Sequence, residues 1–164
     1  MSREPQYQLD PRIKAVWRIS DVIVITLIAL CVALVGIVAW LADADTHSWS
    51  GIYMLICLVV WAVAIVVDLV AITSFRYARW RYQLFPDFLE IKNGIIWRKH
   101  FVVPFIRVQN TDTKQGPVLR AFGLASVTVA TAAGAMEIPG LRADEANEVR
   151  DRAAELARVA REDV

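Results

Sequence analysis

Between Arg18 and Arg76 the chain has no lysine and no arginine. From Ile19 to Phe75 the only formal charges are Asp21, Asp43, Asp45 and Asp68. Cysteine and histidine are scarce too: Cys31, Cys57, His47 and His100 are the full complement. Both cysteines fall in apolar runs, where the thiol behaves as a small hydrophobe, so no disulfide framework is expected. Two histidines far apart in sequence give no zinc-ligand spacing. After residue 75 no serine or cysteine has a plausible base beside it, and no glycine-rich phosphate loop occurs. The absences argue against an enzyme, a metal and a cofactor.

What fills the cation-free stretch is apolar. Val22 to Ala42 and Ile52 to Val67 each approach the ~20 residues a helix needs to cross a ~30 Å hydrocarbon layer. The first run holds only Thr26 as a clearly polar side chain, whereas the helices of a soluble core carry a polar face. It starts too late and runs too long for a cleaved signal peptide. The expectation is a two-span helical hairpin over 19–75, preceded by a short segment over 1–18.

Charge then orients the hairpin. Arg3, Arg12, Lys14 and Arg18 precede the first span, and Arg76, Arg79 and Arg81 follow the second. The connecting loop, Asp43 to Gly51, has none. Basic flanks stay on the cytoplasmic side, so both termini are expected there. Trp40, Trp49 and Tyr53 cluster at the outer edge, and Trp17, Tyr77 and Trp80 at the inner one, as interfacial aromatics do.

Asp68 lies inside the second apolar helix. At ~1.5 Å per residue it sits about 25 Å beyond Gly51, toward the inner interface. Two readings stand: an interfacial acid paired with a basic neighbour such as Arg76, or an intramembrane polar site for a proton or ion.

Residues 76–164 suffice for one small cytoplasmic domain. The overall charge of +1 conceals an asymmetry there. From Lys92 to Arg120 six cations face Asp112 alone, while from Leu141 to Val164 seven acids outnumber five arginines. Trp80 to Leu84 alternates like a strand. Phe88 to Lys92 is a second strand, and Asn93-Gly94 predicts a two-residue type I′ turn. The next strand, Ile95 to Val103, places Ile95, Trp97, Phe101 and Val103 on one face. Further strands are expected over 107–115, 126–131 and 135–138. Gly94, Gly116, Gly123 and Gly134 are read as positions of positive φ or close approach, and Val118 to Leu124 as a short helical turn. An amphipathic helix over 143–161 shows Ala146, Val149, Ala153, Leu156 and Ala160 on one stripe. Several antiparallel strands closed by a terminal helix make a pleckstrin-homology-like barrel or another small α+β fold.

Particular blocks narrow that choice. Ile91-Lys92-Asn93-Gly94-Ile95-Ile96 is followed by Val103-Pro104-Phe105-Ile106-Arg107-Val108-Gln109. Then come Gln115-Gly116-Pro117-Val118-Leu119-Arg120-Ala121-Phe122-Gly123-Leu124-Ala125 and Val127-Thr128-Val129-Ala130-Thr131-Ala132-Ala133-Gly134. In this order after two spans, they resemble the bacterial pleckstrin-homology-like membrane proteins, in particular the short members with one such domain. Phe105 stands where tyrosine is common in that family, and Ala133 lengthens the turn before Gly134. The resemblance implies a transmembrane hairpin followed by a PH-like antiparallel barrel capped by a C-terminal helix. It also implies no catalysis, and a role in envelope stress or resistance.

Three functions follow from these residues. The first is a membrane-anchored interaction module that holds a membrane protein partner or a second copy of itself. The second is recognition of anionic lipid headgroups by the basic strip. Its short Phe85-Pro86-Asp87 loop lacks the basic residues that inositide-binding relatives of this fold carry there. The third is a minor part in transport built on Asp68. Arg98, Lys99, Arg107, Gln109, Lys114, Gln115 and Arg120 are the candidate partner or lipid surface. Nucleic acid is not expected as a partner, given the membrane anchor and the near-neutral charge.

Overall fold

The computed structural model describes residues 5–42, 47–95 and 97–162, without the side chains of residues 42, 47, 48 and 50. Arg3, Asp43, Ala44, Asp45 and Ile96, which the sequence reading uses, lie outside them. The chain divides into two compact units. One is Trp17–Ser74; the other joins Met1–Val16 to Phe75–Val164.

The first unit is most of a pair of long helices, whose ends over 13–16 and 75–79 belong to the second unit. Helix α1 (Ile13–Ala42) begins where the Asp10 carboxylate accepts the Arg12 N–H at 2.8 Å, with Pro11 between them. That arrangement uses the preference for Asp ahead of a first turn that begins with Pro. Helix α2 (His47–Val67) runs into a π-helical turn, Asp68–Ile72, and on into α3 (Thr73–Arg79). Two apolar stretches of 29 residues result, Ile13–Leu41 and Gly51–Arg79. Their most apolar windows are 0% and 6% buried, the opposite of a soluble core helix. Polar contacts help tie the helices together. The Tyr53 hydroxyl donates to the Val32 carbonyl at 2.7 Å, and Trp61 Nε1 donates to Thr26 Oγ1 at 3.2 Å. Thr26, the one polar residue of the first run, is thus a partner for an indole that lipid could not satisfy.

The second unit holds two antiparallel three-stranded sheets. One has β1 (Arg81–Leu84), β2 (Phe88–Asn93) and β3 (Lys99–Pro104) in that order. The other has β4 (Val108–Lys114), β5 (Leu124–Thr131) and β6 (Gly134–Arg142). A 3-10 turn, Phe105–Arg107, joins them, and the short helix α4 (Pro117–Ala121) links β4 to β5. Leu89, Phe105, Leu124, Val127, Val129, Ile138 and Leu141 have no exposed surface, and they form the core. Helix α5 (Ala143–Glu162) closes it against β4, β5 and the 3-10 turn. Of its predicted stripe Ala146 and Ala153 are buried, with Ala157 beside them, so the helix lies close on its small residues.

Three sequence expectations are corrected. The Asn93-Gly94 turn is not a two-residue type I′ turn. Asn93 pairs with Lys99, so the connection runs over 94–98. A type I′ turn needs positive φ at both central residues, and among the described residues positive φ occurs only at glycines, here Gly94 at 113°. Trp97 therefore leaves the inward face and stands 81% exposed in the loop. The last strand, read as ending at Ile138, runs to Arg142. Its register shifts between Ala125 and Val127, so Pro139 and Gly140 sit at a bulge where a missing N–H and positive φ are tolerated. Gly116 has an ordinary φ of −73° and open space about it, so no backbone demand explains it.

The N-terminal residues belong to this unit's fabric. Tyr7 and Tyr82 exchange backbone hydrogen bonds at 3.2 and 3.0 Å, extending the first sheet beyond β1. Asp10 N–H donates to the Gly140 carbonyl at 3.1 Å, and Leu9 and Ile13 are buried. A Cβ at Gly140 would fall 2.4 Å from Ile13 Cγ1. The bulge glycine is what lets this segment approach. Trp80 is 6% exposed and the Tyr77 hydroxyl donates to the Leu9 carbonyl at 3.0 Å. Both aromatics serve the domain instead of an interfacial belt.

Candidate functional site: a basic cleft

The strand register decides which cations meet. Arg81 faces Lys92 across β1 and β2, and Asn93 faces Lys99 across β2 and β3. The start of β1, the end of β2 and the start of β3 therefore share one end of the first sheet. A cleft of about 400 Å³ opens there, lined by Pro5, Ala78, Asn93 and Gly94 and by six basic residues: Arg79, Arg81, Lys92, Arg98, Lys99 and His100.

The electrostatics of the cleft are uneven. Glu90, buried on β2, has its carboxylate 2.5 Å from His100 Nε2 and 3.3 Å from Lys92 Nζ. Those two basic groups partner a buried carboxyl group, as a buried polar side chain requires. Arg79 and Arg81 are held differently. Arg79 donates to the Ile95 carbonyl, and Arg81 to the Trp80 carbonyl at 2.7 Å. A carbonyl orients a guanidinium without cancelling its charge. Arg98 and Lys99 are exposed. Among the described residues no acid lines the cleft.

The predicted basic strip is divided by the fold. Arg98 and Lys99 are in the cleft. Arg107, at the end of the 3-10 turn, and Gln109, on β4, are exposed beside the Thr131–Gly134 turn and Arg161. Lys114 lies at the far end of β4, about 20 Å from Val108 at its start at ~3.4 Å per residue. Gln115 donates from Nε2 to the Leu124 carbonyl at 2.9 Å, which makes it a brace between β4 and β5. Arg120 is exposed on α4. Asp68 is 3% exposed at the head of the π-helical turn, and Arg18 of α1 donates to the carbonyl of the next residue, Leu69, at 3.0 Å. A guanidinium thus reaches the turn that Asp68 begins.

Sequence reading missed Arg79, Arg81, Lys92 and His100 as cleft residues. The signal was present in the strand alternation but depended on knowing which strand ends coincide. A second depression, of about 390 Å³, lies between β4 and α5, lined by Val108 to Thr111, Ala154, Ala157, Arg158, Arg161 and Glu162. Among the described residues no cluster of three His, Cys, Asp or Glu side chains is placed to hold a metal.

A family model described as the bacterial PH domain matches residues 12–157. The chain belongs to the bacterial PH domain family. It is also similar to the UPF0699 transmembrane protein YdbS of Bacillus subtilis (strain 168), 32% identical over 164 residues and the whole length of both chains. No solved structure matches the chain. The family match includes both apolar helices as well as the paired sheets, so this bacterial PH domain is a transmembrane protein with its PH-like fold carried in the same chain. Its family is not a known enzyme class.

Proposed function

We propose that this membrane protein works at the cytoplasmic surface of the bacterial inner membrane, where its basic cleft receives the phosphate of anionic lipid headgroups. It is a binding module without catalysis in this reading. The supporting observation is the cleft itself: Arg79, Arg81, Arg98 and Lys99 converge, and among the described residues no acid lines it. Basic residues near a negative leaflet gain about 1 kcal/mol each, and guanidinium groups suit phosphate oxygens.

The test uses the full-length protein in a neutral detergent. Phosphatidylglycerol is expected to raise its melting temperature and phosphatidylcholine to leave it unchanged, because a ligand bound only by the folded state stabilises it. The gain should fade with salt and vanish in Arg98→Glu with Lys99→Glu. Equal shifts with both lipids would defeat the reading.

A second reading, a protein partner or a second copy held by the domain, is favoured by the depression between β4 and α5. Crosslinking in native membranes distinguishes it: a species lost on filling that depression with Ala154→Trp supports a partner there.

A further inference from the structure

Trp97 is 81% exposed in a unit that buries Trp80 to 6%. It is followed by Arg98 and Lys99 and preceded, two residues earlier, by half-exposed Ile95. An exposed indole beside cations, on a loop next to a basic cleft, has the character of an interfacial residue. We propose that Trp97 is a membrane anchor. Its indole sits at the headgroup level of the leaflet in which the second apolar helix ends, with Arg98 and Lys99 on the adjoining phosphates. This rests on the anionic-surface reading above and adds the contact that would turn the cleft toward the bilayer.

Two observations tie Trp97 to that leaflet. Arg79 is the last residue of the apolar stretch Gly51–Arg79, and its guanidinium donates to the carbonyl of Ile95. Trp97 is therefore two residues from a backbone atom held by Arg79, within the same unit. The strand register gives the same answer independently. The chain leaves the helix at Arg79 and enters β1 at Arg81, and β1 begins at the end of the sheet where β2 stops and β3 starts. The acidic turn Phe85-Pro86-Asp87 is at the other end of that sheet.

The tryptophan is also presented on a constrained backbone. Gly94 has φ of 113°, and a Cβ there would fall 1.9 Å from the Trp97 carbonyl oxygen. The chain folds back on Gly94 at a distance only glycine allows, which fixes where Trp97 emerges. Charge complementarity selects the occupant. The cations beside the indole suit an anionic lipid surface.

The experiment uses the full chain with Cys31→Ala and Cys57→Ala, so that one introduced cysteine carries a spin label. Trp97→Cys is compared with Val102→Cys, an exposed position on β3, in nanodiscs of equal parts phosphatidylcholine and phosphatidylglycerol. The label at 97 is expected to meet dissolved oxygen several-fold more readily than a water-soluble nickel complex, and the label at 102 to show the reverse. A label at 97 as open to nickel as that at 102 would overturn the anchor. So would shielding from both quenchers, which means burial against protein. If the label at 97 is aqueous while phosphatidylglycerol still raises the melting temperature of the unlabelled protein, the anchor fails and the cleft reading stands. If the label reports lipid equally in discs of phosphatidylcholine alone and the melting shift is absent, the headgroup contacts of Arg98 and Lys99 are refuted along with that reading.

Discussion

Tyr82 shows how a single residue carries several levels of this fold. Its backbone exchanges hydrogen bonds with Tyr7, its ring is buried, and its hydroxyl donates to Glu145 Oε1 on α5 at 3.1 Å. Burial first, and the Glu145 carboxylate second, push its phenol well above the usual value of 10.0. The folded state thus disfavours ionisation more than the unfolded chain does. The stability tied to this group is complete below about pH 10 and is lost as the pH rises beyond it. Tyr82→Phe is expected to cost about 1 kcal/mol at neutral pH, from one hydrogen bond. That cost should shrink and change sign in alkali, because phenylalanine cannot ionise. Melting curves of the two proteins from neutral to alkaline pH check this, and a constant gap would refute it.

Among the elements, the segment before α1 is the one whose role sequence did not announce. Its polar, proline-containing composition reads as a simple flank of a membrane span. In the structure it adds a bridge to β1, buries Leu9 and Ile13, and anchors to the Gly140 carbonyl. Burial of Leu9 alone contributes about 2 kcal/mol. Deleting residues 1–10 is therefore expected to lower the melting temperature of the full-length protein in detergent by several degrees. An unchanged melt would show that the segment is only appended. The α5 helix gives the converse case. Its stripe was legible in part: Ala146 and Ala153 are buried as the helical period predicts, while Ala157, outside the predicted set, is buried and Val149, Leu156 and Ala160 are only partly covered. The helix approaches β4 and β5 on alanines, which a pattern of hydrophobicity registers as well as it does leucines.

For the whole molecule the remaining question is sidedness. If the basic flanks hold the termini in the cytoplasm, the connection between the two apolar helices faces outward. Single cysteines in the background lacking Cys31 and Cys57 test this in intact cells with a membrane-impermeant maleimide. Trp49→Cys, 70% exposed near the start of α2, is expected to react at once, and Arg98→Cys only after permeabilisation. The reverse pattern would place the basic cleft outside and remove it from the anionic cytoplasmic surface.

The sequence by itself determined the membrane hairpin, the succession of strands and the closing helix. Each rests on local chemistry: apolar length against bilayer thickness, alternation against a half-buried sheet, and a 3.6-residue stripe against a core. It also placed Arg98 and Lys99 in a basic region. Only the tertiary structure decided that they share a cleft with Arg79 and Arg81 while Arg107 lies on the turn between the sheets and Lys114 on the other sheet. Pairing register is a relation between distant segments, and a turn of five residues in place of two moves every later side chain of the strand by more than one position. For the same reason the period-2 pattern put Trp97 in the core, and the pairing of Asn93 with Lys99 put it in the open.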